Sequence, residues 1–203
     1  MTTITASAGA SEGEDAGPFA TLMNQQTNWL AADLAAVDRT KTPWIIVAGH
    51  RPWYISIAND SSDVCWECKD RFKPIFLNYS VDLVLSGHVH AYERNAPMFN
   101  NTPDPMELDN GTFPWYITNG ATGHYDGLDT LDRPFQTYSR YAQDSTYGWS
   151  KLTSHNSTHL TQDFIISGNN SVLDSATLYK QHATSGSGYG NGHHERPSRS
   201  WWR

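Results

Sequence analysis

Val81-Asp82-Leu83-Val84-Leu85-Ser86-Gly87-His88-Val89-His90-Ala91-Tyr92-Glu93-Arg94 is the stretch on which the reading of this chain turns. Val81, Leu83, Val84 and Leu85 make a short apolar run of the kind that forms a buried strand. Ser86 and Gly87 end it, and histidines follow at positions 88 and 90. Residues two apart in an extended segment point to one side, so both imidazoles are expected to face one metal or two adjacent ones. The same plan stands upstream, where Trp44-Ile45-Ile46-Val47-Ala48 runs into Gly49-His50. A single Gly-His after a strand is most often a turn with a hydrogen-bonded imidazole, and it is the repetition that points further. Ligands of open α/β sheets bind at the carboxyl ends of strands. Three imidazoles at two such ends imply a metal site of the zinc or iron kind.

Outward from these strands, Leu22, Trp29, Leu30, Leu34 and Val37 recur at helical spacing behind Pro18. Phe72, Ile75, Phe76 and Tyr79 mark a second apolar helical face, with Pro74 kinking that helix or standing near its start. Strand 44–48, this helix and strand 81–86 form a right-handed crossover with parallel strands. His50 and His88/His90 then share one rim of the sheet. Residues 95–112 read as a Pro/Asn-rich loop and 128–146 as polar and irregular. Short alternating strands are expected at 113–119, 147–154, 158–167 and 172–179. Residues 1–17 read as a disordered leader and 183–203 as a disordered tail, whose His193 and His194 are given no native role. His155, His159 and His182 read as loop or strand-surface residues. His124, in a glycine-rich turn, is kept as a remote pocket candidate.

The chain has 203 residues and a formal net charge of −7, which leaves no basic stripe for a nucleic acid. No apolar run is long enough for a membrane span, and no signal peptide is visible at the N-terminus. Six Asn-x-Ser/Thr sequons nevertheless begin at Asn59, Asn78, Asn100, Asn110, Asn156 and Asn169, more than composition alone supplies, and they fit a secreted, glycosylated protein. Cys65 and Cys68 form the only Cys-x-x-Cys. With no second pair of soft ligands for zinc and no thioredoxin context, a local disulfide at the start of the second helix is expected. Nothing in the sequence speaks to dimerisation.

Val47-Ala48-Gly49-His50, followed by Arg51-Pro52-Trp53-Tyr54, resembles the Val-x-x-His motif of the purple acid phosphatases. Gly87-His88-Val89-His90, continuing as Ala91-Tyr92-Glu93-Arg94, is similar to their Gly-His-x-His motif. The resemblance covers roughly residues 18–182 and is nearest in character to fungal members. It implies an α/β fold, the C-terminal part of the metallophosphoesterase αββα sandwich. It also implies hydrolysis of phosphate monoesters at a centre of Fe(III) beside a divalent metal (Zn, Fe or Mn). Carried across, His50 and His88 would bind the divalent ion and His90 the ferric one. The family's aspartates, tyrosine and asparagine come from three earlier motifs, Gly-Asp-x-Gly, Gly-Asp-x-x-Tyr and Gly-Asn-His-Glu, and none occurs in this sequence. Some members place extra histidines over the substrate after the first histidine. Asn59 and Asp60 stand near that point, which leaves the general acid unassigned. The expectation is the C-terminal half of a phosphatase with half a metal site, inactive alone. The alternative is a non-catalytic metal-binding or interaction relic of the family.

Overall fold

The computed structural model describes the backbone of residues 2–5, 16–57 and 63–182, and side chains from residue 25 onward. The expected tail, the middle of the expected leader, and Asn59 and Asp60 lie outside the described residues.

The chain opens with β1 (Thr2–Thr5) and α1 (Ala16–Ala35), then β2 (Ile45–Ala48), α2 (Trp66–Asn78) and β3 (Leu83–Ser86). The next strands are β4 (Tyr92–Phe99), β5 (Thr102–Pro103), β6 (Trp115–Asn119) and β7 (Ser139–Gln143). A meander of β8 (Gly148–Ser154), β9 (His159–Ile166) and β10 (Val172–Tyr179) closes the described chain. The first sheet has the order β1-β2-β3-β6-β4-β5, with β7 also paired to β4, and the meander is a separate three-stranded sheet.

β2 and β3 are adjacent and parallel, Ile46 opposite Leu83 and Ala48 opposite Leu85, as the crossover predicts. Alternation then sorts their side chains into two cores. Ile45, Val47 and Val84 pack against Leu30 and Leu34 of α1 and Phe72 and Phe76 of α2. Ile46 and Leu83 point the other way, with Trp115 and Ile117, onto Leu160, Phe164 and Leu178 of the meander. The result is three layers: helices, large sheet, small sheet. Trp29 departs from the expected helical face and is 52% exposed.

Three expectations are corrected. Thr2–Thr5 is a strand parallel to β2, where a disordered leader is predicted; three threonines and an isoleucine are strong strand formers. The predicted loop over 95–112 hides the second half of β4, because Asn95, Ala96 and Pro97 look like turn residues. Pro97 sits where the pairing with β6 shifts register, the kind of irregularity at which a missing N–H is tolerated in a sheet. The predicted irregular stretch contains β7, whose polar sequence is half-exposed and pairs with β4 alone.

Cys65 and Cys68 form the expected disulfide, and the Cys65 sulfur also accepts from the Cys68 N–H at the start of α2. That helix runs through Pro74 to Asn78. Asn78, Asn100, Asn110, Asn156 and Asn169 are all exposed. No helix among the described residues is long and apolar enough to cross a membrane.

Candidate metal centre

The ends of β2 and β3 are stitched together beyond the last paired residues. Gly49 N–H donates to Leu85 O (2.9 Å) and Gly87 N–H to His50 O (3.0 Å). This brings the two Gly-His turns side by side, and His88 Nδ1 lies 3.0 Å from His50 Nε2. The rings meet edge to face, their centroids 4.8 Å apart.

His88 and His90 do not face one place as an extended chain would make them. His88 has φ 66°, a left-handed conformation that is costly for a residue with a side chain. The chain therefore leaves the strand geometry on which the two-residue alternation depends. His88 pairs with His50, whereas the ring of His90 packs against His124, with centroids 4.6 Å apart. Such outliers are frequent at functional sites, where surrounding structure holds the strain.

His124 arrives on the loop after β6. Gly120 makes this crossing possible: a Cβ there would fall 2.0 Å from the carbonyl oxygen of Val89. The remote pocket candidate thus lines the same open cleft as His50, His88 and His90. Its Nδ1 stands 3.2 Å from Asp126 Oδ2. Asp129 fixes the other side of the turn, accepting from the His90 N–H at 2.7 Å while its own N–H donates to His90 O at 3.1 Å. Asp63 Oδ1 lies 3.2 Å from His88 Nε2. Neither Asp63 nor Asp129 carries a sequence signal, since each is one of several aspartates in a polar loop. Burial pushes the His88 imidazole below its ordinary value, helped by the Arg51 and His50 charges and opposed by Asp63.

The donor set fits part of a metal centre. Two imidazole nitrogens face each other, and imidazole suits zinc and iron. Among the described residues, however, no three His, Cys, Asp or Glu side chains converge as a group able to hold an ion. A dinuclear centre does not fit the chain's own residues, because neutral imidazoles cannot offset two neighbouring cations.

The Tyr92-Glu93-Arg94 run that follows the histidines is a brace. Alternation sends Tyr92 and Arg94 to the meander, where the Tyr92 hydroxyl donates to Asp174 Oδ2 at 2.7 Å and lies 2.8 Å from Gln162 Oε1, and Arg94 grips both Asp174 oxygens at 2.7 and 2.9 Å. Glu93 points the other way and accepts from Ser56 N–H and Oγ, each at 2.7 Å, which ties down the segment leaving His50. Trp53 stacks on Phe76, with centroids 5.0 Å apart, and Tyr54 meets Tyr116 at 4.8 Å, so this pair packs beneath the loop.

Comparison with known proteins bears on the same segments. Residues 12–92 match the calcineurin-like phosphoesterase family, and residues 113–175 match the family described as iron/zinc purple acid phosphatase-like protein C. Acid phosphatase A of Cryphonectria parasitica is 43% identical over 170 residues, covering 84% of this chain and 33% of its own length. An acid phosphatase of Aspergillus ficuum is 35% identical over 82% of this chain and 30% of its own length. A purple acid phosphatase from yellow lupin seeds superposes with a TM-score of 0.74 at 24% identity, over 89% of this chain and 31% of that one, and shows the shared fold. The fold is that of a calcineurin-like metallophosphoesterase. Within that class the chain belongs to the purple acid phosphatase family. It spans about a third of the length of the relatives it matches.

Proposed function

We propose that this chain supplies the histidine half of a purple acid phosphatase site that hydrolyses phosphate monoesters. The observation that carries the reading is the 3.0 Å approach of His50 Nε2 and His88 Nδ1 at the joined ends of two parallel strands. His50 and His88 would hold a divalent ion and His90 would reach the ferric ion, with His124 beside it. Such a metal pair polarises the phosphate and supplies the nucleophile. The chain's own residues orient these ligands: the Gly49 and Gly87 N–H bonds fix the two turns, and Asp129 fixes His90. The aspartates, tyrosine and asparagine of the full centre would come from sequence outside these 203 residues. The exposed sequons and the Cys65–Cys68 bond agree with a secreted, glycosylated whole protein.

The test has two arms. Calorimetry with zinc is expected to show one weak site in the chain, lost in the His50→Ala/His88→Ala double variant. With p-nitrophenyl phosphate at acid pH, the chain alone is expected to give no turnover. Joined to a segment carrying the missing motifs it is expected to become active, and His90→Ala should abolish that activity. Turnover by the chain alone that disappears in His88→Ala would overturn the reading.

A further inference from the structure

We propose that Asp63 is a positioning residue for the imidazole pair, holding the Nε2–H of His88 so that Nδ1 keeps the lone pair aimed at an ion shared with His50. The proposal rests on the metal reading above and names the group that prepares one of its ligands.

His88 presents one nitrogen to each neighbour: Nδ1 is 3.0 Å from His50 Nε2, and Nε2 is 3.2 Å from Asp63 Oδ1. A neutral imidazole carries a single N–H, and an ionised carboxylate can only accept. The proton therefore belongs on Nε2, and Nδ1 is the nitrogen free to ligate. A carboxylate behind a ligating histidine fixes its tautomer and ring orientation and raises its basicity.

Asp63 is held in place by the two residues that follow it. Val64 packs with Ile55, Val89, Ala91 and Leu131, so it rests on the Gly-His-x-His turn itself. Cys65 N–H reaches Pro52 O at 3.4 Å, and the disulfide locks Cys65 onto the first turn of α2. Asp63 is 27% exposed and His88 10% exposed, so their contact is partly shielded from water. His88 also has the left-handed φ of 66°, so its ring is presented from a turn and not from an extended strand.

The test is long-range 1H–15N NMR of the His88 ring in the full chain, at a pH where imidazole is neutral, beside zinc calorimetry. Wild type is expected to show the Nε2–H tautomer. Asp63→Ala should lose that preference and weaken zinc by about 10- to 100-fold, and Asp63→Glu should restore both in part. Asp63→Asn keeps an acceptor without the charge, so it should keep the tautomer and bind zinc less tightly than wild type. An Nδ1–H tautomer in wild type would overturn the proposal, as would an Asp63→Ala variant with unchanged tautomer and zinc affinity. Should wild type bind zinc no better than His50→Ala/His88→Ala, the metal reading fails, and the tautomer still decides the role of Asp63.

Discussion

The two ends of the β2–β3 pair hold their polar groups on opposite terms. At the carboxyl end His50 and His88 meet in the lining of an open cleft, with Asp63 behind. At the amino end Asp82 is fully buried and surrounded by donors: Arg39 at 2.5 Å, the Ile45 N–H at 2.8 Å, His182 at 3.1 Å and Lys180 at 3.2 Å. His182 is fixed in turn, its Nδ1 2.9 Å from Ser157 O and its ring edge-on to Trp44. One end has nearly every polar atom answered by protein; the other has two imidazole nitrogens that, among the described residues, are answered only by each other. Mutual satisfaction marks a structural cluster, and facing groups left to a cleft mark a place for a ligand.

If that contrast is right, the amino end should dominate stability. Asp82→Ala leaves Arg39 and Lys180 without a counter-charge, and losing one partner of a buried ion cluster costs about 3–5 kcal/mol. Urea unfolding should show this as a large fall in midpoint. Burial alone would raise the Asp82 carboxyl, but the His182 bond, the Lys180 and Arg39 charges and the Ile45 N–H outweigh it and hold it below its ordinary 3.8. Its folded value is depressed, so its contribution is present above about pH 4 and is lost as pH falls through the folded value. The gap between wild type and Asp82→Ala should therefore narrow in acid. A gap as wide at pH 2 as at pH 7 would show that the cluster is not held by the ionised carboxylate.

Between the two ends lies the Tyr92-Glu93-Arg94 brace, which should rank second. Arg94→Ala removes the two-pronged grip on Asp174 and should cost about 2–3 kcal/mol. Arg94→Lys should recover only part, since an ammonium cannot reproduce the planar fork. Full recovery by lysine would mean that charge alone, not the fork, joins the two sheets.

Glu93 should give a smaller effect of opposite pH sense. Burial raises its carboxyl, and the Ser56 N–H and hydroxyl offset this only in part. Its folded value lies above the ordinary 4.5, so its contribution is greatest below that pH and is lost as pH rises through the folded value. Glu93→Gln should therefore cost within about 1 kcal/mol, and the variant should gain on wild type between pH 4 and pH 8. Unfolding midpoints at the two pH values check this, and a variant that loses ground at pH 8 would contradict it.

How much of this was legible follows from where each partner sits in the chain. Strands β2 and β3 announce themselves, because Trp44-Ile45-Ile46-Val47 and Leu83-Val84-Leu85 are buried on both faces. That His50 and His88 share one rim follows from the crossover, which makes the two strands parallel; that they touch follows from β2 and β3 being neighbours. His182 reads from sequence as a surface residue because its partner, Asp82, is one hundred positions away. The second half of β4 was hidden for another reason: its Asn-Ala-Pro sequence is made acceptable by a register shift that only the paired strand reveals. The pairing of His90 with His124 was invisible too, since it depends on the φ of His88 and on the absence of a side chain at Gly120.

The smallest expected change in stability is at the cleft itself, and it separates the two ends most sharply. His50→Ala should shift stability by about 0.5 kcal/mol or less, because no buried partner is left unpaired when the side chain goes. His88→Gly carries the contrast further. At φ 66° a side chain costs about 1–2 kcal/mol that glycine does not, while glycine's freer unfolded chain takes back about 0.4–1 kcal/mol. The net expectation is a variant at least as stable as wild type that no longer binds zinc. A ligand residue held against its backbone preference should behave in this way, with its removal relieving strain and ending function together. If His88→Gly instead unfolds at a markedly lower urea concentration, the imidazole contributes to the fold as His182 does. The carboxyl end would then be a second structural cluster, and the contrast between the two ends would fail.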